Sequence, residues 1–234
     1  MKKKPVKAVL FDLDDTLWSI GPVLVRAEAA LFDWMRQHAP QVPQQFSIET
    51  LQVRRKVLMA GNPRYQIDLW ALRHAVLTEA FNICGEDLCK VDAAMDVFSR
   101  ARSDVVLYDD VRPSLTRLGQ RHLLGTISNG FADLATIGLA HHFQVSIAAH
   151  QFGCAKPDRE IFHAACDLLH VAPVEAVYVG DDPTRDIAGA QGAGLRAVWL
   201  NRADLLPQRG LPPHVNPDAV VSNLFELEQW LSTQ

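Results

Sequence analysis

Residues 9–18 read VLFDLDDTLW. Val9, Leu10 and Phe11 form an apolar run that meets Asp12, Asp14 and Asp15 almost at once. A short unbroken apolar run closed by acidic turn formers reads as a strand buried on both faces. If that strand continues to residue 14, side chains alternate sides, so Asp12 and Asp14 share one side and Leu13 takes the other. Two carboxylates on one face need a cation or a shared proton to coexist. A solvated acidic turn is the alternative that this stretch alone leaves open.

Further along the chain, similar runs alternate with helical patterns. Lys7–Phe11, Leu123–Ser128, Val145–Ala149, Ala176–Gly180, Arg196–Leu200 and Ala219–Ser222 are the expected strands. Helices are expected near 132–141, 158–169, 184–192 and 224–232. Apolar strands separated by helices predict an α/β domain, a Rossmann-like parallel sheet with helices on both faces. Residues 22 to about 102 differ, with helical periodicity over Val23–His38, Phe46–Met59, Ile67–Ile83 and Val91–Arg102. Leu69, Leu72, Val76, Ala80 and Ile83 fall at three- and four-residue spacing. Gly21-Pro22 marks one edge of this module and LYDDVRP (107–113) the other. The expected organisation is an α/β core of 1–18 and 108–234, with 19–107 as an inserted α-helical domain.

The composition is that of an ordinary globular chain: 234 residues, 48% hydrophobic, 21% charged, net charge −4. That balance predicts neither a nucleic-acid polymer nor a membrane surface as partner. Lys2, Lys3 and Lys4 read as a solvated terminus. The run after them is too short for a signal peptide, and nothing is long enough to span a bilayer. Cys84, Cys89, Cys154 and Cys166 match no zinc spacing and read as reduced thiols of a cytoplasmic protein, with a Cys84–Cys89 redox pair as the lesser alternative.

Four pieces fall at the C-terminal ends of expected strands, the edge where open α/β sheets bind ligands. Asp12-Leu13-Asp14 is the first. Ser128-Asn129-Gly130 can hold a phosphate oxygen through a hydroxyl and free N–H groups, and is also a common turn. Lys156-Pro157 places a point charge at a helix mouth if Pro157 opens the helix, and otherwise is a surface lysine. Gly180-Asp181-Asp182, with Asp186 five residues after Asp181, is an acidic strand end or a capped helix start.

In that order, these motifs resemble those of the haloacid dehalogenase-like superfamily of hydrolases: DxDxT at Asp12–Thr16, then Ser128, Lys156, and GDxxxxD from Gly180 to Asp186. The likeness covers essentially the whole chain, and the helical insert is similar to the family's cap. It implies Asp12 as nucleophile and Asp14 as general acid/base. Mg²⁺ would be held by Asp12, the Asp14 carbonyl and Asp181. Ser128, the Asn129 N–H and Lys156 would bind the phosphoryl group, with Asp186 and Asp182 behind the metal and Thr16 fixing the loop. Arg185 departs from the pattern, since many relatives carry Asn there. ISNGF (127–131), the surroundings of Lys156 and VSNLFELEQWL (221–231) look like the branch of pyrimidine 5′-nucleotidases and acylneuraminate-9-phosphate phosphatases.

The implied enzyme is a phosphatase for a small phosphorylated metabolite, with a nucleoside 5′-monophosphate as one class. A haloacid dehalogenase is the first rival, but family dehalogenases lack an acid at the position of Asp14. A phosphomutase or phosphotransferase would use the same residues, and a non-catalytic binding protein is the last alternative. Candidates for substrate choice are Trp18, Arg26, Arg54, Arg55, Asn62, Arg64, Tyr65 and Trp70, with AGNPRYQ (60–66) as a possible specificity loop. Trp34, Trp70 and Phe81 read as core of the helical insert.

Overall fold

The structure is a computed structural model describing residues 4–202 and 210–234; Lys2 and Lys3 of the basic run lie outside them. The described residues form two compact units, one of 4–19, 106–130, 138–202 and 210–234, the other of Ile20–Val105 and Phe131–Ile137.

The first unit is built on a six-stranded sheet of β1 (Ala8–Phe11), β2 (Leu123–Ser128), β3 (Val145–Ala148), β4 (Ala176–Gly180), β5 (Arg196–Leu200) and β6 (Ala219–Val221). The order is β3-β2-β1-β4-β5-β6 and every pairing is parallel. Every residue of β1, β4 and β5 is buried. This is why those strands read as unbroken apolar runs rather than alternating ones. Chain order reverses direction at β1 and β4, which lie side by side in register from Ala8↔Ala176 to Phe11↔Val179. The crevice beyond the strand ends at such a reversal is where ligands settle.

Helices on the sheet differ from the expectation in three places. The stretch 132–141 forms no continuous helix: one α turn, Leu134–Ile137, ends where Gly138 takes φ 76°, and a 3-10 turn follows at Ala140–His142. A helix over Val111–Leu118 was not expected; proline in its first turns masks it in sequence. After β4 the chain makes a wide helical turn, Pro183–Ala188, in which the Ile187 N–H reaches back to the Asp182 carbonyl at 3.3 Å.

The second unit is helical: Ile20–His38, Ile48–Gly61, Leu69–Cys84 and Val91–Arg102, with short turns at Gln41–Gln45 and Arg64–Ile67. Gly21-Pro22 lies at the start of this unit, which begins at Ile20. It lies in the first turn of Ile20–His38, where proline's missing N–H has no partner to lose. Val23, Ala27, Leu31 and Met35 recur every four residues and are buried. Ala27, Leu31 and Met35 share a core with Leu72, Val76, Leu77, Ala80, Phe81, Met95 and Phe98. Ile83, expected in that stripe, is 55% exposed, and Phe81 fills the core instead. Phe131–Ile137 was expected in the α/β part but clusters with the helices, the Phe131 ring 6.2 Å from that of Phe98. No described helix is long and apolar enough to cross a membrane.

Candidate active site

The site grows from the ends of β1, β2 and β4. Asp12 follows β1 directly, and its N–H extends the ladder by donating to the Val179 carbonyl at 2.9 Å. Its side chain is buried. The chain then turns sharply: the Leu17 N–H donates to the Leu13 carbonyl (2.8 Å), and Asp15 adopts φ 61°, a left-handed conformation that Asp tolerates better than most residues. Asp14 is half-buried, and its Oδ1 accepts the indole N–H of Trp18 at 3.0 Å. Trp18 was one of the candidates for substrate choice. It is fully buried.

Lys156 is the hub. Its Nζ donates to Asp12 Oδ1 (2.5 Å), Asp186 Oδ1 (2.7 Å) and the Tyr178 hydroxyl (2.8 Å), and the side chain is buried. Three donors therefore meet three acceptors, which uses the ammonium completely. The backbone of Lys156 is held too. Its N–H donates to Asn129 Oδ1 (2.9 Å) and its carbonyl accepts from Asn129 Nδ2 (3.0 Å). Lys156 and Pro157 are joined by a cis peptide bond. Pro157 does not open the next helix; Arg159–Leu168 begins later, with Asp158 as its cap.

Asp181 follows β4, buried, and its carbonyl accepts the indole N–H of Trp199 at 2.9 Å. Asp186 is 1% exposed, and its Oδ2 accepts the Asp182 N–H at 2.9 Å. Both oxygens of Asp186 are thus engaged. Asp182 Oδ1 caps the Thr184 and Arg185 N–H groups, each at 2.9 Å, which makes it a capping residue. Gly180 is required here: a Cβ on it would fall 2.3 Å from Asp186 Oδ2. Ser128, buried at the end of β2, accepts the Gly130 N–H at 3.0 Å and so folds the turn after the strand. Thr16 is fully buried, and its carbonyl accepts Arg202 Nε at 2.9 Å.

Sequence reading missed four participants: Tyr178, Trp199, Arg202 and the Asn129 side chain. Tyr178 and Trp199 sit in apolar strands and read as core. Arg202 ties Thr16 to Asp110 (3.1 Å) across distant chain positions. In the helical unit, several polar candidates are engaged locally: Arg54 with Glu79, Arg55 with Glu28, Arg64 with Asp68 and Arg26 with the Asp104 carbonyl.

Among the described residues, the site holds more carboxylates than positive charges. Asp12, Asp181 and Asp186 can each offer one carboxylate oxygen, all within 4.8 Å of one another, against the ammonium of Lys156. Burial pushes the Asp12 carboxyl up to about 7; Lys156 opposes this, and Asp186 adds to it. Burial alone would lower Lys156, but Asp12 and Asp186 outweigh it and hold the ammonium above its ordinary range. Lys156 therefore stays charged while the carboxylates compete for what it cannot neutralise. An all-oxygen, buried, carboxylate-rich donor set suits a hard divalent cation such as Mg²⁺.

The family model described as haloacid dehalogenase-like hydrolase matches residues 6–194. The chain is 30% identical to the 5-amino-6-(5-phospho-D-ribitylamino)uracil phosphatase YigB of Escherichia coli, over 83% of each chain. It is 32% identical to a phosphoserine phosphatase of Thermus thermophilus, over 95% of this chain and 98% of that one. Among solved structures, a 2-haloacid dehalogenase from Pseudomonas syringae pv. Tomato DC3000 superposes with a TM-score of 0.90 at 38% identity, covering 97% of this chain and 99% of that one. With the strand-end carboxylates, the hub lysine and the family model in agreement over most of its length, the chain belongs to the haloacid dehalogenase-like hydrolases.

Proposed function

We propose that this chain is a Mg²⁺-dependent phosphatase for a small phosphomonoester, with nucleoside 5′-monophosphates the first class to test, and that it works through an aspartyl-phosphate on Asp12. The observation that carries this reading is the pairing of a buried, lysine-bound carboxylate with a second, half-buried carboxyl two residues on. An oxygen of Asp12 attacks phosphorus, the ester P–O bond breaks, and Asp14 gives its proton to the leaving oxygen. Asp14 then takes a proton from water as that water attacks the aspartyl-phosphate. The phosphorus–Asp12 bond breaks, and inorganic phosphate and free Asp12 result. Lys156 offsets charge on Asp12 and the phosphoryl group, while Ser128 and the Asn129 N–H lie at the strand end where phosphoryl oxygens would be bound. Asp12 and Asp181 side chains, with the Asp14 carbonyl, would hold Mg²⁺. When bound, the ion reduces repulsion between nucleophile and phosphate. Asp186, with both oxygens engaged, orients Lys156 rather than contacting the ion.

The likeness to a dehalogenase structure favours a second reading, attack of Asp12 on a carbon bearing halogen. A departing halide needs neither a proton from Asp14 nor a divalent cation, so Asp14 and the excess of carboxylates would both lack a purpose. The test measures phosphate release over a panel of nucleotides, sugar phosphates and phosphoserine with Mg²⁺, beside halide release from 2-chloropropionate. Phosphate release that disappears in Asp12→Asn, by at least about 10³-fold, is expected. Halide release in its place would overturn the proposal.

A further inference from the structure

We infer that Trp18 is a positioning residue for the general acid: its indole N–H fixes the orientation of the Asp14 carboxyl. This rests on the phosphatase reading of Asp14 given above. Trp18 Nε1 donates to Asp14 Oδ1 at 3.0 Å. The indole N–H is a donor only, so the oxygen facing it must accept. One edge of the Asp14 carboxyl is therefore held by the indole, which limits its rotation.

The indole itself has little freedom. Trp18 is among the largest fully buried side chains described. Its carbonyl accepts the Asp15 N–H at 2.8 Å, and its backbone bridges to both Asp14 and Leu107. The Tyr108 N–H donates to the Leu17 carbonyl at 3.1 Å, which ties the same loop to the returning chain. Arg202 fastens the loop from below at Thr16 and lies 3.9 Å over the Tyr108 ring. A rigid ring at the end of a tight loop is the support that a proton donor needs to stay aligned with a leaving oxygen.

The consequence is specific to leaving-group basicity. Protonation matters when the departing oxygen is basic and not when it is a stable anion. Phenyl phosphate, 4-nitrophenyl phosphate and 2,4-dinitrophenyl phosphate share a ring and differ chiefly in that basicity. Two variants should be compared with the wild type by kcat/KM across the series. One is Trp18→Phe. The other replaces Trp18 by its benzothienyl isostere, which keeps the ring shape and removes only the N–H. The inference expects a loss on phenyl phosphate at least tenfold larger than on 2,4-dinitrophenyl phosphate, in the isostere as well as in Trp18→Phe. An equal loss across the series, or no loss in the isostere, would overturn it; if Trp18→Phe fails to fold by circular dichroism, the isostere decides alone. If the wild type releases phosphate from none of the three esters nor from the metabolite panel, the phosphatase reading falls and the role of Trp18 with it. A uniform loss would remove only the latter.

Discussion

In the α/β unit an ammonium, Lys156 Nζ, is surrounded by carboxylates; in the helical unit a carboxylate, Glu28, is surrounded by guanidiniums. Glu28 Oε1 lies 2.7 Å from Arg55 Nη1 and 3.0 Å from Arg73 Nη1, with Glu28 and Arg73 both buried. The two clusters are mirror images in charge and opposite in chemistry. Arg73 lies with its guanidinium carbon 3.4 Å over the Phe98 ring, so its surplus charge rests against an aromatic face. Burial pushes its pKa down to about 10, with Glu28 opposing, which still leaves it charged at neutral pH. Carboxylates have no such resting place. They are strongly hydrated, and a surplus of them must bind a cation or take up a proton. One cluster can thus be complete as folded, whereas the other asks for a ligand.

Removing the minority charge from each cluster tests this directly, and the larger effect is expected at Lys156. Lys156→Met leaves Asp12 and Asp186 facing each other and removes a partner of the nucleophile. Phosphate release should fall by roughly 10²–10³-fold in kcat/KM. Unfolding by urea should show a loss of stability in chelator that Mg²⁺ partly restores, because the ion replaces the missing positive charge. Activity should not return with it. If Mg²⁺ gives the variant no more stabilisation than the wild type, the α/β cluster does not lack positive charge in the way described.

How much of this was legible in sequence follows from the same contrast. Strand-end carboxylates announce themselves because a parallel strand is an apolar run and Asp12 or Asp181 breaks it abruptly. The six strands and the principal helices were legible on the same ground. The partners of those carboxylates were not. Tyr178 and Trp199 sit inside apolar strands, where an aromatic residue reads as packing, and only the fold shows their polar edges reaching Lys156 and the Asp181 carbonyl. Asn129 was read for its N–H, whereas its side chain spends both ends on the backbone of Lys156, 27 residues away. Glu28, Arg55 and Arg73 lie on three helices at no fixed spacing, so no local pattern could join them. Phe131–Ile137 was lost to the helical unit for a similar reason: a short turn carries no periodicity to say where it packs.

Glu28→Gln should cost the helical unit about 3–5 kcal/mol, the usual penalty for leaving buried charge without its counter-charge. The stability measured in urea should not respond to Mg²⁺ beyond the wild-type increment, which separates this site from Lys156. A loss under 1 kcal/mol would mean that Phe98 and solvent carry the arginines without Glu28.

The smallest effect expected is a change of affinity with pH, and its sign distinguishes the acidic cluster from the basic one. Asp12, pushed up to about 7 by burial, is protonated in part of the metal-free protein at neutral pH. A cation binds only the ionised carboxylate, so binding must displace that proton. Mg²⁺ affinity measured by calorimetry should therefore weaken by about tenfold for each pH unit below 7 and level off above it. The raised value has a second consequence in the metal-free protein. Between the unfolded carboxyl value of 3.8 and about 7, the folded state holds the extra proton. The contribution of Asp12 to stability therefore declines as pH rises through that window. Asp12→Asn, which cannot titrate, should lose both the affinity slope and that decline. Arg73, at about 10, stays charged through this range and should contribute to neither. A flat affinity profile in the wild type would mean that Lys156 alone keeps Asp12 ionised, and that the carboxylates are not competing for charge.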